Sequence, residues 1–141
     1  MVPLVSHVIS VAASRGILNL KVFTKPEPQA VFESLGFRLL AAAPEAILLE
    51  NGRGLERYCA YLRTLRRPGR SGVIVMNANP FTLGHKYLME KALEQVDTLF
   101  VIPVKEDVSL FPYAERLAMI RAASGGAVVV AEGSAYCISA A

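Results

Sequence analysis

The sequence predicts an α/β fold, and three observations carry the prediction. Three short apolar runs, 73–76, 98–104 and 127–131, alternate with helical patterns, the signature of a parallel sheet with crossover helices. Two breakers, Asn51-Gly52-Arg53-Gly54 and Arg66-Arg67-Pro68-Gly69-Arg70, separate that stretch from what precedes it. Of 141 residues, 53% are hydrophobic and 19% charged, enough apolar material for a core and too little charge for a disordered chain. The expected organisation is a small mixed unit over 1–50, a linker helix and basic turn over 51–71, and an open parallel sheet over 72–141.

Taken in order, 4–15 reads as a helix with Val5, Val8, Ile9 and Ala12 as its apolar stripe and Gly16 at its C-terminal boundary. Residues 17–23 read as a strand, with Leu18, Leu20 and Val22 on one face and Asn19 and Lys21 on the other. A short helix is predicted to start at 24–27, where Pro26 suits a first turn, and to end near Leu35 at Gly36. Strands at 37–42 and 46–50 follow, broken by Pro44. In 55–65, Leu55, Tyr58, Cys59, Leu62 and Leu65 recur at helical spacing.

Residues 73–76 are continuously apolar, which predicts a strand buried on both faces. A turn at 77–80 leads into a helix with Thr82 as N-cap, and His85, Leu88, Met89, Ala92, Leu93 and Val96 fall on one face of it. A second buried strand at 98–104 should pair parallel to the first through a right-handed crossover. The polar loop 105–109 lies at its C-terminal end, the edge of such sheets where ligands gather. A helix at 112–122, with Tyr113, Leu117 and Ile120 on one stripe, ends at Gly125-Gly126, and 127–131 completes the sheet.

Composition excludes several classes. Fifteen basic against twelve acidic side chains give a net charge of +3, too mild for a nucleic-acid binder, and the arginines at 53, 57, 63, 66, 67 and 70 read as a solvated face. No apolar run approaches the ~20 residues of a membrane span. Cys59 and Cys137 fit no metal spacing, and two free thiols suit a reducing cytoplasm. No metal site is expected from protein ligands.

The chemistry is concentrated in Asn77-Ala78-Asn79-Pro80-Phe81-Thr82-Leu83-Gly84-His85-Lys86. A strand, a tight turn and a helix N-terminus aim backbone N–H groups and the positive end of a helix dipole at an anion. Gly84 would let a ligand approach the backbone, and His85 and Lys86 would stand in the first helical turn. Periodicity alone leaves the reading open, because any βαβ unit has this outline and a lone His on an apolar helix face is more often packed than catalytic.

The joint pattern goes further. Asn77-x-Asn79-Pro80-Phe81-Thr82-x-Gly84-His85 resembles the HxGH or TxGH signature of the nucleotidyltransferase superfamily, and the whole run NANPFTLGHKYL resembles the citrate lyase ligases. The resemblance implies a Rossmann-like nucleotidyltransferase sheet, incomplete here, preceded by a partial N-acetyltransferase-like region. Phe32-Glu33-Ser34-Leu35-Gly36-Phe37 resembles that second family, whose pyrophosphate-binding loop would lie before residue 1. Gly133-Ser134-x-Tyr136-x-Ile138-Ser139 also resembles the ligases, which continue well beyond it.

By this resemblance the substrates are ATP and acetate, with Mg²⁺ held mainly through the phosphates. Acetyl-adenylate and pyrophosphate form first, and the acetyl group then passes to the prosthetic-group thiol on the acyl carrier subunit of citrate lyase. His85 would donate to the α-phosphate and the bridging oxygen, Thr82 would donate its hydroxyl, and Lys105 would be a cation over the triphosphate. Asn77, Asn79, Phe81, Gly84, Lys86, Arg116 and Ser139 would complete the nucleotide contacts. Lys105 and Arg116 also have plain readings, as a solvated lysine and as a partner of Glu115 or Asp107. Three other functions remain open at this stage: a truncated, inactive fragment that keeps the nucleotide loop, an adenylyltransferase for a small phosphorylated metabolite, and an acyltransferase acting through 1–50. The missing later phosphate-binding segment leads to an expectation of weak ATP binding and little exchange by 1–141 alone.

Overall fold

The computed structural model describes residues 2–105 and 110–137. Eleven elements occur among them, and contacts divide the chain into two compact units, 1–57 and 58–141. The division falls inside a helix.

The first unit holds helix α1 (Val2–Ser14), strand β1 (Leu20–Thr24), helix α2 (Gln29–Ser34) and strands β2 (Phe37–Ala42) and β3 (Ile47–Asn51). The strands form an antiparallel sheet in the order β1-β3-β2. Phe32, Phe37, Ile47 and Leu49 make its core, with Val5, Ile9, Leu20, Val22 and Leu35 packed around them.

Two boundaries differ from expectation for local reasons. Gly16 adopts φ +74°, and the N–H of Ile17 donates to Ala12 O, so the start of the expected strand is consumed in closing α1. β1 therefore starts at Leu20 rather than 17. The second helix starts at Gln29 rather than at 24–27, because Glu27 precedes Pro28 and a residue before proline is steered away from helical backbone.

Helix α3 (Gly54–Thr64) leads to the second unit, which contains strand β4 (Ser71–Met76), helix α4 (Leu83–Leu93), strand β5 (Thr98–Pro103), helix α5 (Tyr113–Ala123) and strand β6 (Val128–Val130). The sheet is parallel in the order β4-β5-β6. Met76, Leu99 and Val101 from the strands meet Met89 of α4 and Ile120 of α5 in one cluster, so both crossover helices cover the same face. That arrangement corrects the expectation for β4. Ile74 and Met76 point into the core, whereas Val73 and Val75 on the opposite face are 61% and 42% exposed. A continuous apolar run gives both faces the same chemistry, but β4 is an edge strand with helices from its crossovers on one side only. Leu88 likewise leaves the core face of α4 and is 49% exposed, while Met89, Ala92 and Leu93 pack inward.

The segment after β6 is fixed by tyrosines. Glu132 N–H donates to Tyr61 Oη, Glu132 O accepts from Tyr58 Oη, and Gly133 N–H donates to Tyr113 Oη. Tyr136 stacks on Tyr58, which also lies 3.5 Å from Cys137 Sγ. Burial, and then the contact with Cys137, push the Tyr58 phenol above its ordinary range. The loop runs so close to the end of β5 that a Cβ on Gly133 would stand 1.9 Å from Pro103 O. Gly133→Ala is therefore expected to lower stability by about 1–3 kcal/mol, as other overpacked sites do. Urea denaturation of the chain and its variant measures this, and an unchanged midpoint would mean that the loop gives way freely.

Candidate functional site

β4 delivers the chain to a turn at the C-terminal edge of the sheet. Ala78 takes φ +50°, uncommon for a residue with a Cβ, and its methyl is buried in the core cluster. Strained backbone of this kind persists where the surroundings over-determine it. The Asn79–Pro80 peptide is cis. Phe81 packs against the core and stacks on the His85 ring, with centroids 5.5 Å apart.

α4 then begins with a capping box between Thr82 and His85. His85 takes the place usually held by Glu or Gln: its Nδ1 accepts from Thr82 N–H at 3.0 Å and lies 2.8 Å from Thr82 Oγ1. A backbone N–H can only donate, so Nδ1 carries no proton in this geometry and the ring's N–H is on Nε2. The box thus fixes both the orientation and the tautomer of His85 at the positive end of α4. The hydroxyl of Thr82 is engaged in the same box.

Gly84 is exposed, with ordinary helical space around it. A Cβ there would meet only Thr82 Oγ1 at 3.6 Å. Lys86 is exposed and lies 3.9 Å from Glu90. Lys105, just beyond β5, is exposed with Nζ 5.8 Å from the Tyr113 ring centroid.

Three of the predicted nucleotide contacts, Asn77, Asn79 and Arg116, have protein partners. Arg116 is fully buried. Its Nε donates to Phe111 O at 2.9 Å, and its Nη1 lies within 2.9 Å of Asn77 O, Asn77 Oδ1 and Val104 O. Asn79 Oδ1 accepts from Phe111 N–H at 3.0 Å. Burial and this ring of acceptors are what sequence reasoning missed for Arg116. The signal was its place in the apolar stripe of α5, between Tyr113 and Leu117–Ile120. Ser139 and Asp107 lie outside the described residues. Among the described residues no group of three His, Cys, Asp or Glu side chains could hold a metal, and no helix is long and apolar enough to cross a membrane.

Comparison with known proteins points the same way as the turn. Residues 71–141, just over half the chain, match the family model of the citrate lyase ligase C-terminal domain. The citrate (pro-3S)-lyase ligase of Klebsiella pneumoniae is 46% identical over 141 residues, covering 96% of this chain and 41% of that protein. The ligase of the same name from Escherichia coli is 41% identical, with 96% and 40% covered. That of Haemophilus influenzae is 44% identical over 121 residues, with 84% and 36% covered. The chain therefore spans about two fifths of the length of these relatives. No solved structure matches. A mixed α/β architecture with a three-stranded parallel sheet, the signature turn at its C-terminal edge and the match over 71–141 together show that the chain belongs to the citrate lyase ligase family.

Proposed function

We propose that the second unit is the nucleotide-binding end of an ATP-dependent acid–thiol ligase that activates citrate lyase. The observation that carries this reading is the hydrogen bond that His85 Nδ1 accepts from Thr82 N–H at the N-terminus of α4. With Nδ1 accepting from Thr82, the Nε2–H is the group left to donate to an anion at the helix start. In the proposed reaction a carboxylate oxygen of acetate attacks the α-phosphorus of ATP, and the bond to the pyrophosphate oxygen breaks. The acetyl group of the resulting acetyl-adenylate then passes to the prosthetic-group thiol of the citrate lyase acyl carrier, and AMP leaves.

Such a displacement needs donors and cations rather than a protein nucleophile. His85 supplies a donor to the charge building on the α-phosphate. The α4 dipole and Lys86 draw the triphosphate to the turn, and Lys105 supplies a further cation from the end of β5. Thr82 serves through His85, which it orients, and Phe81 backs the same ring. Gly84 keeps the surface open to a bound nucleotide. The donors present fit a triphosphate, and Mg²⁺ would arrive chelated to it. Ser139 is a further proposed contact. The reaction is that of a cytoplasmic enzyme.

Titration of ATP against the chain and its Gly84→Ala variant tests the reading. Alanine in place of glycine favours a helix by about 1 kcal/mol, and nothing in the fold opposes its methyl. The variant should hold or gain stability while ATP affinity falls about tenfold, the cost of ~1.4 kcal/mol of lost contact. Unchanged ATP affinity in the variant would remove the nucleotide from this turn. Acetate-dependent ATP–pyrophosphate exchange by a family-length protein carrying this sequence tests the chemistry.

A further inference from the structure

We infer that Asn77, Asn79 and Arg116 are positioning residues, which set the end of β5 and the start of α5 against the turn that carries His85 and do not themselves touch the nucleotide. The inference rests on the nucleotide reading above. It concerns how the site is held at its working dimensions.

The geometry is a staple closed around one arginine. Arg116 Nη1 meets the backbone O and side-chain Oδ1 of Asn77, the first residue after β4. The same nitrogen donates to Val104 O, immediately before Lys105, and Nε donates to Phe111 O, immediately before α5. Asn79 closes the ring by accepting from Phe111 N–H. Three chain segments distant in sequence are thus tied through one buried cation. Val104 N–H also donates to Met76 O, so the first tie begins where the β4–β5 ladder ends. The outcome is a fixed relation between Lys105 and the Thr82–His85 box.

The chemistry of the three side chains agrees with this role. A guanidinium is permanently charged and offers several donors in one plane, so it can serve acceptors from different directions. Here those donors face protein oxygens, and the arginine itself has no exposed surface. Asn77 and Asn79 both present Oδ1, the acceptor end of the amide, to protein donors. A residue whose task is to receive a donor from the protein can be replaced by a carboxylate of the same shape. A residue that touches a triphosphate cannot, because the carboxylate repels it.

That contrast supplies the test, made on the whole chain with ATP in EDTA so that no divalent ion bridges an introduced carboxylate to phosphate. Asn77→Asp keeps the acceptor opposite Arg116, whereas Asn77→Ala removes it. For a positioning residue, ATP affinity of the Asp variant should stay within about threefold of the parent and that of the Ala variant should fall about tenfold, the weight of one charge-assisted bond. Exchange of the Phe111 amide, followed by NMR, should quicken about tenfold in Asn77→Ala and stay near the parent rate in Asn77→Asp. A merely local structural role for Asn77 would leave Phe111 unmoved. Weaker ATP binding by Asp than by Ala, or Phe111 exchange equal in all three proteins, overturns the inference. Failure of the unsubstituted chain to bind ATP overturns the nucleotide reading and this role together. Binding by the parent with the order of the variants reversed overturns the inference alone.

Discussion

Replacing His85 by alanine is expected to slow acetate-dependent ATP–pyrophosphate exchange by about two to three orders of magnitude. Removing one preorganised donor to transition-state charge costs ~3–4 kcal/mol. The same substitution removes the acceptor for Thr82 N–H, a capping interaction worth about 0.5–2 kcal/mol. Rate and stability should therefore fall by different amounts. His85→Asn separates them further, since its Oδ1 can still accept from Thr82 N–H while nothing replaces Nε2–H. The expected result is a cap largely restored and a rate still lost. Exchange assays on a family-length protein, beside urea denaturation of the same variants, measure both. Recovery of rate along with stability in His85→Asn would make His85 a capping residue and no more.

The second large effect belongs to Arg116. Its loss strands Asn77 O, Asn77 Oδ1, Val104 O and Phe111 O without their shared donor. Leaving a buried acceptor without its donor costs about 1–3 kcal/mol, and several acceptors lose theirs together. Against a total stability of about 5–15 kcal/mol for an ordinary domain, Arg116→Met should take away much of the folded population. Arg116→Lys keeps the charge but, with a single nitrogen on a different stem, cannot reach acceptors on both sides. It should recover only part of the loss. Chemical denaturation followed by circular dichroism gives the comparison. A shift of less than ~1 kcal/mol in Arg116→Met would show that water replaces the donors and that the hub is not needed for folding.

The elements were legible because their determinants are local. Apolar runs alternating with helical spacing disclosed the βαβαβ order of the second unit, and Thr82 was readable as a cap from its residue type and place. What could not be read was which face of each element its neighbours would cover. The sequence of 73–76 is apolar at every position, yet Val73 and Val75 end up exposed because both crossover helices lie across the other face. The start of α2 slipped to Gln29 because Glu27 is constrained by the proline after it.

At the site, the His85 turn was legible as a strand–turn–helix motif. The partnership of Asn77, Asn79 and Arg116 was not, since it joins residues up to 39 positions apart. A charged residue beside a phosphate-binding motif reads as a phosphate ligand until burial is known. Arg116, with no exposed surface, points its donors at the protein.

The tyrosine-held segment after β6 has a spectroscopic consequence. The chain has no tryptophan and five tyrosines. Four of them, Tyr58, Tyr61, Tyr113 and Tyr136, surround or belong to residues 132–136, while Tyr87 stands apart on the exposed side of α4. Near-ultraviolet absorbance and intrinsic emission of this protein are therefore dominated by one loop at the sheet edge where ligands gather. A ligand that shifts this loop relative to β5 changes the hydrogen bonding of three phenols at once. The protein carries its own optical reporter beside the proposed nucleotide site, and titrations can be followed there without a label.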